Sequence, residues 1–220
     1  MHKPVRIWDL PTRLFHWLLV FCVIGLVTTA QLGAMNWHFR LGYAVLGLLI
    51  FRILWGLVGG YWSRFGTFIY SPASLWRYLR GQGDPSHAIG HTPTGALSVF
   101  ALLLLLLAQV ATGLVSDDEI ASSGPLSHRV SGQLVSLATW YHRDVGKWVL
   151  IVLVCLHIGA ILYYLWRKRQ NLIRPMFSGD KLLPDTVEPA RDDGRARMLA
   201  LLLLLLSGAG VALLLALGAA

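Results

Sequence analysis

The chain has 220 residues, 55% of them hydrophobic and only 14% charged, where a soluble domain carries about a quarter charged. That excludes an ordinary soluble fold and points to an integral membrane protein. The formal net charge of +8 does not indicate a nucleic-acid partner, because the basic residues flank apolar runs, where membrane topology accounts for them.

Five stretches are long enough to cross about 30 Å of hydrocarbon, which takes about 20 helical residues. They are Leu14–Leu32, Leu41–Val58, Gly95–Val115, Val145–Trp166 and Met198–Leu217. Lipid offers backbone groups no partner, so all five are expected as helices. The short alternating segments of a β-barrel are absent. The N-terminal "MHKPVRIWDLPTRLFHWLLVFCVIGLV" resembles a signal peptide only superficially. Its apolar run is too long and no small-residue cleavage site follows, so it is read as a retained helix.

Orientation follows from Lys and Arg. The flanks 1–13, 59–93 and 167–197 hold 14 of the 19 basic residues, whereas 33–40 and 116–144 hold Arg40, Arg129 and Arg143. The N-terminus is therefore expected in the cytoplasm and the C-terminus outside the bacterial inner membrane. The outer loop after the third span also carries Asp117, Asp118 and Glu119, a solvated patch or a docking point for a basic redox protein. Within an inner loop, "SPASLWRYLRG" has Ser71 as N-cap and Pro72 at the first helical position. It reads as a short interfacial helix, with an unstructured loop as the alternative. Cys22 and Cys155 lie inside apolar runs and read as small buried hydrophobes. No CxxC or CxxCH occurs, which excludes the usual thiolate metal site and covalent c-type haem attachment.

Ionisable residues inside spans mark function by default. His16 lies near the inner end of the first helix and His38 at the outer end of the second. His142 opens the fourth helix on the outer side, and His157 follows 15 residues later, toward the inner side. That spacing is about 22 Å along the axis and leaves the two side chains about 60° apart, broadly on one face. The four histidines thus form an outer level (His38, His142) and an inner level (His16, His157). Zinc normally recruits further Cys or carboxylate ligands, and none joins these pairs. Haem needs only axial ligands, for which histidine serves. Two haems stacked through a membrane make a wire, and histidine on both sides of iron favours electron transfer over oxygen binding. His2, His87, His91 and His128 fall in loops or tails and are expected to be solvated.

These residues carry a resemblance. "WDLPTRLFHW", "WHFRLGYAVLGLLIFRILWGLVG", "GHTPTGA" and "YHRDVGKWVLIVLVCLHIGAILYYLWRKRQNLIRPMFSG" resemble the bacterial dihaem cytochrome b561 family and the b-type cytochrome subunits of nickel–iron hydrogenases, over residues 5–181. The resemblance implies an all-α membrane protein with a four-helix haem-binding bundle and two b haems. It implies His16 with His157 for the inner haem and His38 with His142 for the outer. It also implies electron exchange with ubiquinone or menaquinone and with a periplasmic cytochrome c or a dehydrogenase or hydrogenase subunit. Two features depart from the family pattern. The fourth-helix pair is spaced by 15 residues rather than 14, to be absorbed by a π-bulge or a changed turn at the helix start, with His128 as the alternative outer ligand. A fifth helix extends beyond the core, after a cytoplasmic linker at 182–197. Its "SGAG" permits close packing on the bundle or on a partner subunit.

Other positions have two readings each. Arg52, inside the second helix, pairs with a haem propionate or snorkels to the inner interface. Arg40 and Arg143 serve outer propionates or are surface charge. Trp17, Trp37, Trp140 and Trp148 read as an interfacial aromatic belt. Gly25, Gly42 and Gly47 give room to haem or to a neighbouring helix. The expected function is electron transfer between the quinone pool and an outer partner. The rivals are a superoxide oxidase reducing quinone, which would need a basic outer approach free of acids, and a non-haem transport or assembly subunit.

Overall fold

A computed structural model describes residues 2–120, 122–184 and 186–219; positions 1, 121, 185 and 220 of the expected segments lie outside the described residues. Five helices are long and apolar enough to span a membrane. The first, α1 (Leu10–Gln31), starts earlier than its apolar run because Asp9 caps it. The backbone N–H of Thr12 donates to Asp9 Oδ1 at 2.8 Å, and Pro11 sits in the first turn, where no donor is lost. Gly33 takes φ +67°, a left-handed turn that only glycine adopts freely, and α2 (Met35–Val58) follows. α3 (Pro72–Leu79) is the expected short helix, with Ser71 Oγ accepting from Ser74 N–H at 3.2 Å. α4 covers Pro93–Val115.

The fourth spanning helix is continuous over Gly132–Trp166, 35 residues, about 52 Å long. It begins well before Val145 because Ser131 caps it. It consists of α5 (Gly132–Trp140), a π-helical segment (Tyr141–Gly146) and α6 (Lys147–Trp166). The π segment lies where the 15-residue histidine spacing calls for one. α7 (Ile173–Ser178) and the fifth spanning helix, α8 (Gly194–Ala219), complete the helices.

The fold is mostly helical, with one small sheet that the sequence did not announce. β1 (His2–Arg6) pairs antiparallel with β2 (Asp180–Pro184), with Arg6 opposite Asp180. Arg6 also bridges Asp192 at 2.7 Å, and Asp192 bridges Arg197 at 3.0 Å. The linker segment is therefore fastened to the N-terminus. Val5, Ile7 and Trp8 form a buried cluster at and after β1, packed with Met176, Leu183 and Val187.

The chain divides into two compact units. One comprises Met1–Phe15, Arg52–Ala101 and Cys155–Leu202; the other comprises His16–Phe51, Leu102–Val154 and Leu203–Ala220. The first contains the β1–β2 sheet, α3, α7 and 15 of the 19 basic residues. In α8 the buried residues are Ala196, Ala200, Ser207, Val211 and Gly218, one stripe of mostly small residues. Gly47 of α2 admits Val211, whose methyl lies 3.8 Å from where a β-carbon would stand. The "SGAG" segment contributes to this stripe through Ser207; Gly208 and Gly210 face outward. Large apolar side chains such as Phe21, Leu104, Leu156 and Leu205 are exposed, as lipid-facing surfaces require.

Candidate functional site

In the second unit α2 and the π segment bring two of the four histidines together. The imidazoles of His38 and His142 have centroids 6.2 Å apart and planes at 85°. His38 Nδ1 lies 3.1 Å from the carbonyl oxygen of Leu26, and His142 Nδ1 lies 2.8 Å from that of Gln109. A carbonyl only accepts, so each Nδ1 carries the proton and donates it. Each Nε2 then keeps a lone pair, the form in which imidazole ligates a metal. Two imidazoles on opposite sides of one metal, with bonds of about 2 Å, stand about 6 Å apart between ring centres. The observed separation fits that arrangement. Among the described residues no group of three or more His, Cys, Asp or Glu is placed to hold a bare ion. The pair therefore suits a group that supplies its own equatorial ligands, as haem does.

Small residues clear the surroundings. A β-carbon at Gly113 would sit 2.8 Å from His142 Cε1, so only glycine lets α4 accept that ring. Gly42, one turn after His38, has nothing within 4 Å of its β-carbon position. Gln109 binds His142 twice: its backbone carbonyl holds the ring, and its side-chain amide donates to the His142 carbonyl at 2.7 Å. The wide π turn offers that carbonyl to a donor from another helix. Gly146 completes the arrangement, since a β-carbon there would collide with the Gln109 side chain.

The other two expected ligands belong to different units. His16 is half-buried beside Trp17, ring centroids 5.0 Å apart. His157 is half-buried with Nδ1 3.4 Å from Ser98 Oγ. His128, the alternative ligand, is exposed in a short 3₁₀ turn.

Arg52 does not snorkel. It is 3% exposed, donates to the carbonyl of Ser63 at 3.1 Å and lies over the Phe65 ring at 4.5 Å. Ser63 Oγ in turn donates to Asp9 Oδ2 at 2.5 Å, while Thr12 Oγ1 donates to Ser63 Oγ at 2.9 Å. Trp55 Nε1 also donates to Asp9 Oδ2, at 3.2 Å. Asp9 is fully buried. A cation and an anion are thus linked through one serine in the first unit, which limits the desolvation cost of each. Arg40 and Arg143 are exposed; Arg40 lies over Trp37 at 5.1 Å and Arg143 meets Asp144 at 3.4 Å.

Two loop histidines expected to be solvated are not. His91 packs against Trp8 and Phe68, with centroids 4.6 and 4.2 Å away. Its burial, with Arg52 and Lys181 nearby, pushes the imidazole down to about 3. His87 lies between Tyr70 and Tyr78, at 4.9 and 5.9 Å.

The prokaryotic cytochrome b561 family matches residues 7–179. The chain belongs to that family. A b-type cytochrome family implies haem b as cofactor, and the protein is a multi-pass membrane cytochrome that works in electron transport. The chain is 26% identical, over 82% of its length and 87% of the relative's, to the probable Ni/Fe-hydrogenase B-type cytochrome subunit of Bradyrhizobium diazoefficiens. It is 27% identical to the corresponding probable subunit of Azotobacter chroococcum, over 82% and 90% of the two chains. To the probable Ni/Fe-hydrogenase 1 B-type cytochrome subunit of Escherichia coli K12 it is 25% identical, over 71% and 81%. No solved structure matches the chain. Within this cytochrome, Gln109, Gly113, Gly146 and Asp9 are the residues that sequence reasoning missed. Only Asp9 had a local signal, as an Asp two residues before Pro11 at a helix start.

Proposed function

We propose that this cytochrome passes single electrons through two b haems between the quinone pool and a redox partner on the outer side of the inner membrane. The observation that carries the reading is the His38–His142 pair, 6.2 Å between ring centroids, with both Nδ1 atoms committed to carbonyls. His38 and His142 are proposed as ligands of the outer haem, and His16 and His157, from their positions in the sequence, as ligands of the inner. Haem b, when bound, supplies reversible one-electron transfer at iron. The chain's own residues do the rest. The Leu26 and Gln109 carbonyls fix each tautomer and raise the basicity of each Nε2. His38 and His142 together would hold the haem, which would then serve electron transfer rather than oxygen binding. Arg52, held near Asp9 by Ser63, is proposed to stabilise a propionate of the inner haem as its second partner.

The outer partner is proposed to be a hydrogenase-like dehydrogenase, because the relatives named above are probable hydrogenase subunits. Ubiquinone or menaquinone is proposed as the carrier in the membrane. The cytoplasmic N-terminus and outer C-terminus rest on the basic flanks. The test is the dithionite-reduced minus oxidised spectrum of the protein purified in mild detergent, with haem counted as the pyridine haemochrome. Two low-spin b haems per chain are expected; a colourless protein would overturn the proposal.

A further inference from the structure

We propose that the exposed cations of α3 and of the segment after α6 form one binding surface for the phosphate headgroups of anionic phospholipids. The proposal needs neither the haem nor the orientation given above. Arg77 lies in the last turn of α3 and Arg80 is its C-cap; both are exposed. Arg167, Lys168 and Arg169 follow α6 directly and are exposed too. Arg169 takes φ +54°, a left-handed turn that stops the helix there. The two basic segments are fastened to each other. The hydroxyl of Tyr78, between the two arginines of α3, shares a hydrogen bond of 2.6 Å with that of Tyr164, one turn before Arg167. Tyr78 also shares a side-chain hydrogen bond with Thr92. The five cations therefore flank one fixed point.

Their charge is not spent inside the protein. The ion pairs among the described residues engage Arg6, Arg143, Arg191 and Arg197, and none of these five cations. Asp84, the acid four residues beyond Arg80, is turned to its own loop, accepting from the Ser86 N–H at 2.7 Å. A cluster of about four to eight Lys and Arg beside a spanning helix or on an amphipathic one is the pattern that anionic lipid neutralises. Apolar side chains share the same surface. Trp76 and Leu79 of α3 are 57% and 61% exposed, and Trp166, just before Arg167, is 65% exposed. The Arg80 guanidinium lies 4.7 Å over the Trp76 ring, so charge and apolar ring sit at one level. That combination suits a molecule with an anionic head and acyl chains. A free phosphate would leave the apolar groups in water.

The test is mass spectrometry of the intact, detergent-purified protein supplied with phosphatidylglycerol, phosphatidylcholine and inorganic phosphate at equal concentration, which counts each species retained. Phosphatidylglycerol is expected to be retained over phosphatidylcholine by about fivefold or more, the effect of one engaged cation. Arg77→Gln with Arg80→Gln, and separately Arg167→Gln with Lys168→Gln and Arg169→Gln, are each expected to lower that ratio at least about threefold. Arg77→Lys with Arg80→Lys is expected to keep it. Lys3→Gln with Arg195→Gln, which removes charge elsewhere in the same unit, is expected to match the parent. If one glutamine variant aggregates, the parent ratio and the other variant decide. Equal retention of the two lipids by the parent, retention of inorganic phosphate alone, or an equal loss in the Lys3 and Arg195 control overturns the proposal.

Discussion

Gln109 shows how one uncharged residue sets the position of a ligand. Its amide in a spanning helix is costly unless it is used, and it is used on the carbonyl of His142. Gly146 is required by the same contact, because a β-carbon there meets the Gln109 amide oxygen and then, at 2.8 Å, the Tyr141 ring. The amide is the movable partner. Gly146→Ala should therefore displace Gln109 rather than unfold the helix, at about 1–3 kcal/mol for overpacking and the lost hydrogen bond. The expected outcome is a shifted midpoint potential for one haem only, reproduced by Gln109→Ala and not doubled in the double variant, as potentiometric titration would show. Equal shifts in both haems would contradict this reading. The histidines were legible because imidazole is rare in apolar runs. Gln109 was not, because nothing in "LLLLLLAQVATG" says which helix its amide will face.

At the scale of elements, the π segment was legible as one of two alternatives and the two-stranded sheet was not. A π-bulge was one of two ways, with a changed turn at the helix start, in which the 15-residue histidine spacing could be accommodated, and the π segment Tyr141–Gly146 is present. The two-stranded sheet joins segments 174 residues apart, and "HKPVR" carries no period-2 alternation to announce a strand. The histidines near it were misread for the same reason: Trp8 and Phe68, which bury His91, come from distant segments. This element has a pH consequence. His91 has an ordinary value of about 6.5 and is held down to about 3 in the fold by burial, with Arg52 and Lys181 adding to it. Below about pH 6.5 the unfolded chain binds a proton that the folded state refuses. Stability should then fall by about 1.4 kcal/mol per pH unit down to about pH 3, and be flat in this term above 6.5. Denaturation in detergent at pH 7 and pH 5 checks it: the parent loses stability on acidification, and His91→Phe should lose distinctly less. An identical loss in both would contradict the assignment.

For the whole molecule, length and hydropathy sufficed to find five spanning helices, because each must bury its own backbone in lipid. Their starts were less legible: Asp9, Gly33 and Ser131 extend α1, α2 and the fourth helix beyond their apolar runs through capping and a glycine turn. Fifteen of the 19 basic residues lie in one compact unit, and the His38–His142 pair lies in the other. The non-haem rival loses ground to the family match across residues 7–179. The wire itself stands or falls on whether His142, rather than the exposed His128, holds a haem opposite His38. The most direct measurement is haem stoichiometry per chain in His142→Ala and His128→Ala beside the parent protein. One haem in His142→Ala and two in His128→Ala are expected; two haems retained without His142 would contradict the pairing.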